Sequence, residues 1–412
     1  MTNRAWPTTS NVRSITLSAS PLWGAIRPVT ARSCFAAAVG WYAWNGSVEA
    51  LCTAPLLVLL WRWSPSRIHA FAAVFAYYLA AARGLFHGAG VFFGEAGPLP
   101  DWVVGALIWL IPNAILAATW ALLWGARTRP VRLLLILIVV SLPPVGVFGW
   151  ANPLTAAGAL FPSWGWAGIA LTICLLCAMA TFRRRTLPYL GALLSLSVLA
   201  NIGFHQPVAD DWIPLNTHLG AAKNSEAEYE RLQTLLNMVG SASAAHPHAK
   251  VFVLPELVGG DWSMNSIWWD DIGAVLKDRG QTVLVGALLP YDRNRRYVNA
   301  LFSIGDDDSW ALVDRVPVPI SMWRPWSATG ATAFWWDSGV VTIGSRRAAS
   351  LICYEQLLVW PVLVSLAHRP DIIVGAANDW WARGTSIPRI QRQVTNAWGR
   401  LFAIPAVWAT NQ

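Results

Sequence analysis

Residues 251–256 read Val251-Phe-Val-Leu-Pro-Glu256, and residues 348–353 read Ala348-Ala-Ser-Leu-Ile-Cys353, followed at once by Tyr354 and Glu355. Each is a short apolar run that ends on one reactive side chain. Short apolar runs bounded by turn residues read as strands buried on both faces. Pro255 cannot donate to a sheet ladder, so it ends the first strand and turns Glu256 outward. A carboxylate whose proton affinity is raised by burial can take a proton from a nearby thiol. A thiol at a strand-to-helix turn exposes its sulfur, leaves the next backbone N–H to hold an oxyanion, and gains from the helix N-terminus beside it. Singly, Glu256 reads as a solvated loop residue and Cys353 as a structural cysteine. Together they can make a base-activated nucleophile.

Around these two runs, residues from about 205 onward alternate short strands with helices. Strands are expected at Lys250–Pro255, Thr282–Ala287, Tyr297–Ile304, Ala311–Arg315, Val340–Gly344, Ala348–Cys353, Asp371–Gly375 and Ala403–Ala409. Helices are expected at Ser225–Val239, Ser266–Asp278, Gln356–His368 and Pro388–Arg400, with a polar turn at Asn294–Arg296. The pattern predicts a mixed sheet covered by helices.

The first half has another character. Residues 1–200 hold 13 Arg, no Lys, and only Glu49, Glu95 and Asp101 as acids, whereas residues 201–412 hold 17 basic and 19 acidic side chains. The mean hydropathy of the whole chain is +0.43, and only 13% of residues are charged where about 25% is usual. Seven apolar segments are expected to cross a membrane: 31–46, 47–62, 67–86, 102–126, 131–150, 163–182 and 186–204. Basic residues precede segment one (Arg4, Arg13, Arg27, Arg32) and fill the loops at Arg62/Arg67, Arg127/Arg129/Arg132 and Arg183–Arg185. By the positive-inside rule those loops are cytoplasmic, and seven crossings place residues 205–412 outside, in a periplasm. Arg83 is the exception. Tryptophans 61, 63, 102, 120, 124, 150, 164 and 166 fall near segment ends, where indoles anchor in the headgroup layer. No cleavage site follows the first 32 residues, so an uncleaved first helix is expected.

Five cysteines are too few and scattered for a disulfide scaffold, and Cys174-Leu-Leu-Cys177 lacks a second pair or histidine cluster that would make it a metal site. No metal or cofactor is expected. The basic residues sit in twos and threes without a stripe, which argues against direct nucleic-acid contact, and intramembrane charges of the kind that mark a transport path are few.

Five ordered motifs then carry a resemblance: Leu254-Pro-Glu256, Tyr297-Val-Asn-Ala-Leu-Phe-Ser-Ile-Gly305, Cys353-Tyr-Glu355, Asn378-Asp-Trp380, and Arg400 with Ala409-Thr-Asn411. In order and spacing they resemble the carbon–nitrogen hydrolase (nitrilase) superfamily. With the preceding helices, the chain resembles its apolipoprotein N-acyltransferase branch and, more closely, the TraB family of conjugal-transfer proteins. The resemblance implies a multi-pass α-helical membrane domain over 1–204 and an α/β nitrilase-like α-β-β-α sandwich over 205–412. It implies an inner-membrane protein, with a lipid as acyl donor and proteins of the conjugation apparatus as partners. It implies a Glu–Lys–Cys triad, of which Glu256 and Cys353 fill two places. Tyr354 would give the oxyanion N–H, Glu355 would be a supporting acid, and Asn378, Asp379 and Trp380 would line the pocket. Arg315, in Ala311-Leu-Val-Asp-Arg315, stands where the lysine is expected. Arginine is larger, planar and never neutral, so the exchange is not conservative. A working variant, a slow enzyme and a domain kept for binding all remain open. Relatives continue past Asn411-Gln412, so the sandwich is expected to lack an edge.

Overall fold

The computed structural model describes residues 21–94, 99–125, 129–222, 224–290, 296–308 and 311–412. Arg4, Arg13, Glu95, Arg127 and most of the Asn294–Arg296 turn lie outside the described residues.

Up to residue 201 the described chain is mostly helical. The helices are α1 (Pro21–Ala43), α2 (Leu56–Trp63), α3 (Arg67–Ala81), α4 (Arg83–Gly94), α5 (Asp101–Leu122), α6 (Arg129–Ser141), α7 (Ala157–Leu160), α8 (Gly165–Thr181) and α9 (Leu187–Asn201). Three expected segments come out differently. Segment 47–62 is not one helix: a 3-10 turn at Glu49–Thr53 precedes α2, and Pro55 caps α2. Segment 67–86 breaks at Ala82, and the chain continues as α4 at 59° to α3. Segment 131–150 stops at Ser141 because Pro143 and Pro144 cannot extend the ladder. Among the described residues one helix, Asp101–Leu122, is long and apolar enough by itself to cross a membrane, and the bent pair α3/α4 qualifies when taken together.

Tryptophan also splits. Trp63, Trp102, Trp164 and Trp166 are exposed, but Trp61, Trp120 and Trp150 are buried, which corrects their reading as surface anchors. Trp61 and Trp120 meet edge to face at 6.0 Å, and their N–H groups reach the Trp120 carbonyl and the Tyr78 hydroxyl. A buried indole needs such a partner. Arginines close helix ends: Arg62 donates to the Phe182 carbonyl at 2.7 Å, and Arg132 to those of Leu123 and Trp124. That is the favoured place for a cation, against exposed C-terminal carbonyls.

The second half is an α/β sandwich. Its strands are β1 (Trp212–Pro214), β2 (Val251–Val253), β3 (Thr282–Pro290), β4 (Arg296–Gly305), β5 (Ala311–Val313), β6 (Gly330–Ala331), β7 (Val340–Ile343), β8 (Arg346–Ile352), β9 (Ile372–Asn378) and β10 (Ala406–Asn411). One sheet runs β1-β2-β3-β4-β5 with β6 added to β4; the other runs β10-β9-β8-β7. The chain also forms helices α10 (Ser225–Ala245), α11 (Trp262–Asn265), α12 (Asp270–Asp278), α13 (Val359–Ala367) and α14 (Ile387–Phe402). Strand alternation builds the layers. Val251 and Val253 enter the core between the sheets with Leu284, Leu301, Ile352 and Val374. Phe252, Val283 and Val285 face the other way and pack with Leu235 and Val239 of α10. All eight expected strands are present. β1 and β6 are additional, and the side of β10 away from β9 is met by Thr217, bonded to Thr410 and Gln412.

α14 joins the two halves. Ile390, Val394, Trp398 and Leu401 share one core with α1, α3 and α8. Gln393 Nε2 donates to the carbonyls of Ala43 and Ser47, and Tyr354 donates to the Val147 carbonyl at 2.7 Å. α4 comes equally close: a Cβ on Gly88 would lie 2.6 Å from the Trp381 ring, so only glycine allows that approach.

Candidate active site

β2 delivers Glu256 and β8 delivers Cys353 to the same end of the sandwich. Gly286 of β3 makes room for the Glu256 turn, since a Cβ there would stand 2.1 Å from the Pro255 carbonyl oxygen. Cys353 opens a 3-10 turn, Cys353–Leu357, with φ at +46°. A non-glycine residue in that region costs about 1–3 kcal/mol and persists only where its surroundings hold it. Here Glu355 accepts from Ile352 N at 3.1 Å, Gln356 Nε2 donates to the Leu351 and Ala376 carbonyls, and Gln391 Nε2 donates to the Cys353 carbonyl at 3.3 Å.

The Glu256 carboxyl and the Cys353 thiol lie close enough for each to shift the other's proton affinity. The Glu256 carboxyl accepts from Asn299 Nδ2 at 2.7 Å and from the Asn378 backbone N–H at 3.1 Å. Burial raises its pKa to about 7, against the lowering effect of Cys353, Asn299 and Asn378. At neutral pH it therefore exists in both forms, as a general base requires. Burial also pushes the Cys353 thiol well up, and the charges of Glu256 and Asp379 push it further. Cys353 therefore rests as a thiol, with Glu256 placed where it can take the thiol proton.

The structure does not bring Arg315 to this pair. Arg315 is fully buried and faces Glu355, with Nε 2.9 Å from Oε1. Nη2 donates to the Ser350 carbonyl and the second Glu355 oxygen, and Nη1 to the Ser338 and Pro361 carbonyls and the Ser365 hydroxyl. The Arg315 backbone N–H also donates to Glu355. Glu355 is thus the counter-ion of Arg315 and a brace for the Cys353 turn.

The residue that does face Glu256 is Asp314, which sequence reasoning passed over. One Asn299 Nδ2 serves both acids, 2.7 Å from Glu256 and 3.0 Å from Asp314. Burial raises the Asp314 pKa, as do the charges of Glu355 and Glu256. The signal was available: Leu312 lies between the sheets, and a period of two puts Asp314 on the same face and Arg315 on the other.

The remaining expected residues gather as follows. Asn378 lines the cavity, and its side chain accepts from Asn411 at 2.8 Å. Asp379 is buried, accepts from Thr410 at 2.9 Å, and is pushed up to about 7 by burial. Trp380 lines the cavity and stacks on Phe92 of α4, centroids 6.1 Å apart. Tyr354 anchors to the helical half as described. The cavity measures about 320 Å³. Glu256, Cys353 and Gln391 lie in its wall, with Phe92 and Phe93 of α4, Ile108 of α5 and Trp381. Among the described residues no cluster of His, Cys, Asp and Glu could hold a metal.

Comparison with known proteins adds the family. The carbon-nitrogen hydrolase model matches residues 274–400. The conjugal transfer protein TraB of Agrobacterium fabrum is 36% identical over 91% of this chain and 90% of its own length. This chain belongs to the TraB family. A probable conjugal transfer protein TraB of Sinorhizobium fredii is 34% identical over 90% of this chain and 95% of its own. An amidase from Nesterenkonia superposes with a TM-score of 0.31 at 12% identity, covering 40% of this chain and 63% of that one.

Proposed function

We propose that this TraB-family chain is a multi-pass inner-membrane component of conjugal plasmid transfer whose second half forms a thioester on Cys353. The N-terminus and the arginine-rich loops face the cytoplasm, and residues 205–412 face the periplasm. Cys353 Sγ attacks the carbonyl of a membrane-lipid ester, and its proton passes to Glu256. The carbon–oxygen bond breaks, and the alcohol leaves with that proton. An amine or water then takes the acyl group and restores the thiol. The observation that carries this reading is the cavity: helices of the first half supply apolar wall, and Glu256 and Cys353 lie together in that same wall. The transfer role rests on the names of the relatives.

Intact-mass analysis of the purified full chain after exposure to phospholipid vesicles tests the chemistry. A hydroxylamine-labile acyl mass is expected on the wild type and not on Cys353→Ala. A folded wild type that gains no mass sinks the acyl-enzyme.

The engagement of Arg315 with Glu355 favours a second reading, in which the fold is kept for binding within the conjugation apparatus. Its mark is full plasmid transfer from a Cys353→Ala, Glu256→Ala double variant.

A further inference from the structure

A groove of about 570 Å³ runs along the helical half between α6, α8 and α9. Its wall is mostly apolar: Leu171, Cys174 and Cys177 come from α8, Tyr189 and Leu193 from α9, and Pro130 from α6. The stretch from Leu171 to Thr181 covers about 15 Å of helix axis, which is one leaflet of a hydrocarbon core about 30 Å thick. Arginines gather at the Pro130–Thr181 end. Arg129 precedes Pro130, and the exposed Arg183, Arg184 and Arg185 lie in the chain between Thr181 and Thr186, both of which line the groove. Arg62 joins them: its Nη2 donates to the Phe182 carbonyl at 2.7 Å, and it feels the charges of Arg129 and Arg183. Its Nε is buried with no partner among the described residues. The positive starts of α6 and α9 lie at this end too, with no acid in either first turn. The described acids of the helical half lie elsewhere. Residues 1–209 contain only Glu49, Glu95 and Asp101. Glu49 bonds to Ser47 and feels Arg400, which meets Asn201 at the far end of α9. Asp101 starts α5, about 30 Å from the α5 end where Arg132 sits. Like charges gathered without a counter-ion call for an anion, and an apolar groove leading away from them calls for an anion with a chain.

We propose that this groove holds one anionic phospholipid of the cytoplasmic leaflet, with an acyl chain along α8 and α9 and the phosphate among Arg62, Arg129 and Arg183–Arg185. Such a site differs from a general pull of basic loops on the membrane, because it fixes one lipid by its chain as well as by its charge. The arginine end lies away from the second half, which meets the start of α8 at Gly165 and Gly168 through Phe402 and Leu401. The lipid is therefore a structural ligand and takes no part in chemistry at Cys353. The inference rests on the proposed membrane orientation of the first half and not on thioester formation.

The test is native mass spectrometry of the full chain in detergent, offered dioleoyl phosphatidylglycerol, dioleoyl phosphatidylethanolamine and the soluble headgroup glycerol 3-phosphate. One phosphatidylglycerol is expected to be held about tenfold more tightly than phosphatidylethanolamine, and glycerol 3-phosphate is not expected to displace it. The exposed Arg183→Gln, Arg184→Gln, Arg185→Gln triple variant is expected to lose the preference while still holding the zwitterionic lipid, which shows that its groove is intact. Ala192 is exposed and lines the groove, so Ala192→Trp fills it without disturbing the core and is expected to lose the retained lipid. Equal retention of the two lipids overturns the proposal, and so does a preference that survives the arginine changes. A preference kept in full by Ala192→Trp also overturns it, because the arginines would then gather lipid without the groove. Displacement by glycerol 3-phosphate does the same, because charge alone would then suffice. An alkaline carbonate wash of vesicles separates the two levels. A chain that is stripped off ends both the membrane reading and this inference, whereas an embedded chain without lipid preference ends this inference alone.

Discussion

Two buried charge clusters lie on either side of one peptide bond, that between Asp314 and Arg315, and they are finished differently. On the Arg315 side a guanidinium and a carboxylate meet at 2.9 Å, and backbone carbonyls take up the remaining donors. On the Asp314 side carboxyls share the two hydrogens of one amide, and acceptors are left over. A filled cluster holds a turn in place. An unfilled one near a thiol stores unmet electrostatic demand, which is what a ligand site needs. The lesson is that residue type at an expected position says little until strand parity shows which cluster the side chain joins.

The largest effect is expected from breaking the filled cluster. Arg315→Met leaves Glu355 buried without its partner, and removing one member of such a pair costs about 3–5 kcal/mol. Chemical unfolding should show that loss. The Cys353 turn should loosen with it, because the same Glu355 braces Ile352 N. A loss below about 1 kcal/mol would mean the Arg315 cluster is not the structural one, and the comparison would fail.

The next effect is on pH. Glu256 and Asp379 each titrate near 7 in the folded chain, against about 4.3 and 3.9 unfolded. The folded state binds the extra protons, so the stabilisation is complete below about pH 4 and is lost as pH rises through about 7. The unfolding midpoint is therefore expected to fall between pH 5 and pH 8, each group contributing a slope of up to about 1.4 kcal/mol per pH unit. Glu256→Gln should flatten part of that slope. An unchanged slope in that variant would remove Glu256 from the unfilled cluster.

How much of this could be read beforehand follows from side-chain period. The sandwich was legible because its strands are apolar runs with reactive or turn residues at their ends, as at Pro255-Glu256 and Ile352-Cys353. Trp212–Pro214 was not, since three residues behind the polar Asp210-Asp211 give no pattern. The helical half was legible as apolar but not in its breaks. Pro55 and Pro143-Pro144 cut two segments, and the turn at Ala82 folds α4 back onto the Trp380–Ala382 segment. That fold supplies Phe92 and Phe93 to the cavity, a tertiary fact that hydropathy along the chain does not carry. Residue type at an expected position points to Arg315, whereas the alternation from Leu312 points to Asp314.

The smallest expected effect is also the most discriminating. Asp314→Asn keeps the shape and removes one proton-binding group. Burial and the charges of Glu355 and Glu256 push the Asp314 carboxyl up, so the buried site already disfavours the charge that the amide removes. Its effect on stability is expected to stay within about 1 kcal/mol. Its effect on the thiol should be visible. Asp314 is one of the charges that raise Cys353, so its removal should let the thiolate form at lower pH. Peptide-mapped iodoacetamide labelling of Cys353, followed as a function of pH, reads this directly, because the thiolate is the form that reacts. A downward move of the labelling curve ties Asp314 to the nucleophile. A curve that stays in place, with Arg315→Met moving it instead, would exchange the roles of the two clusters.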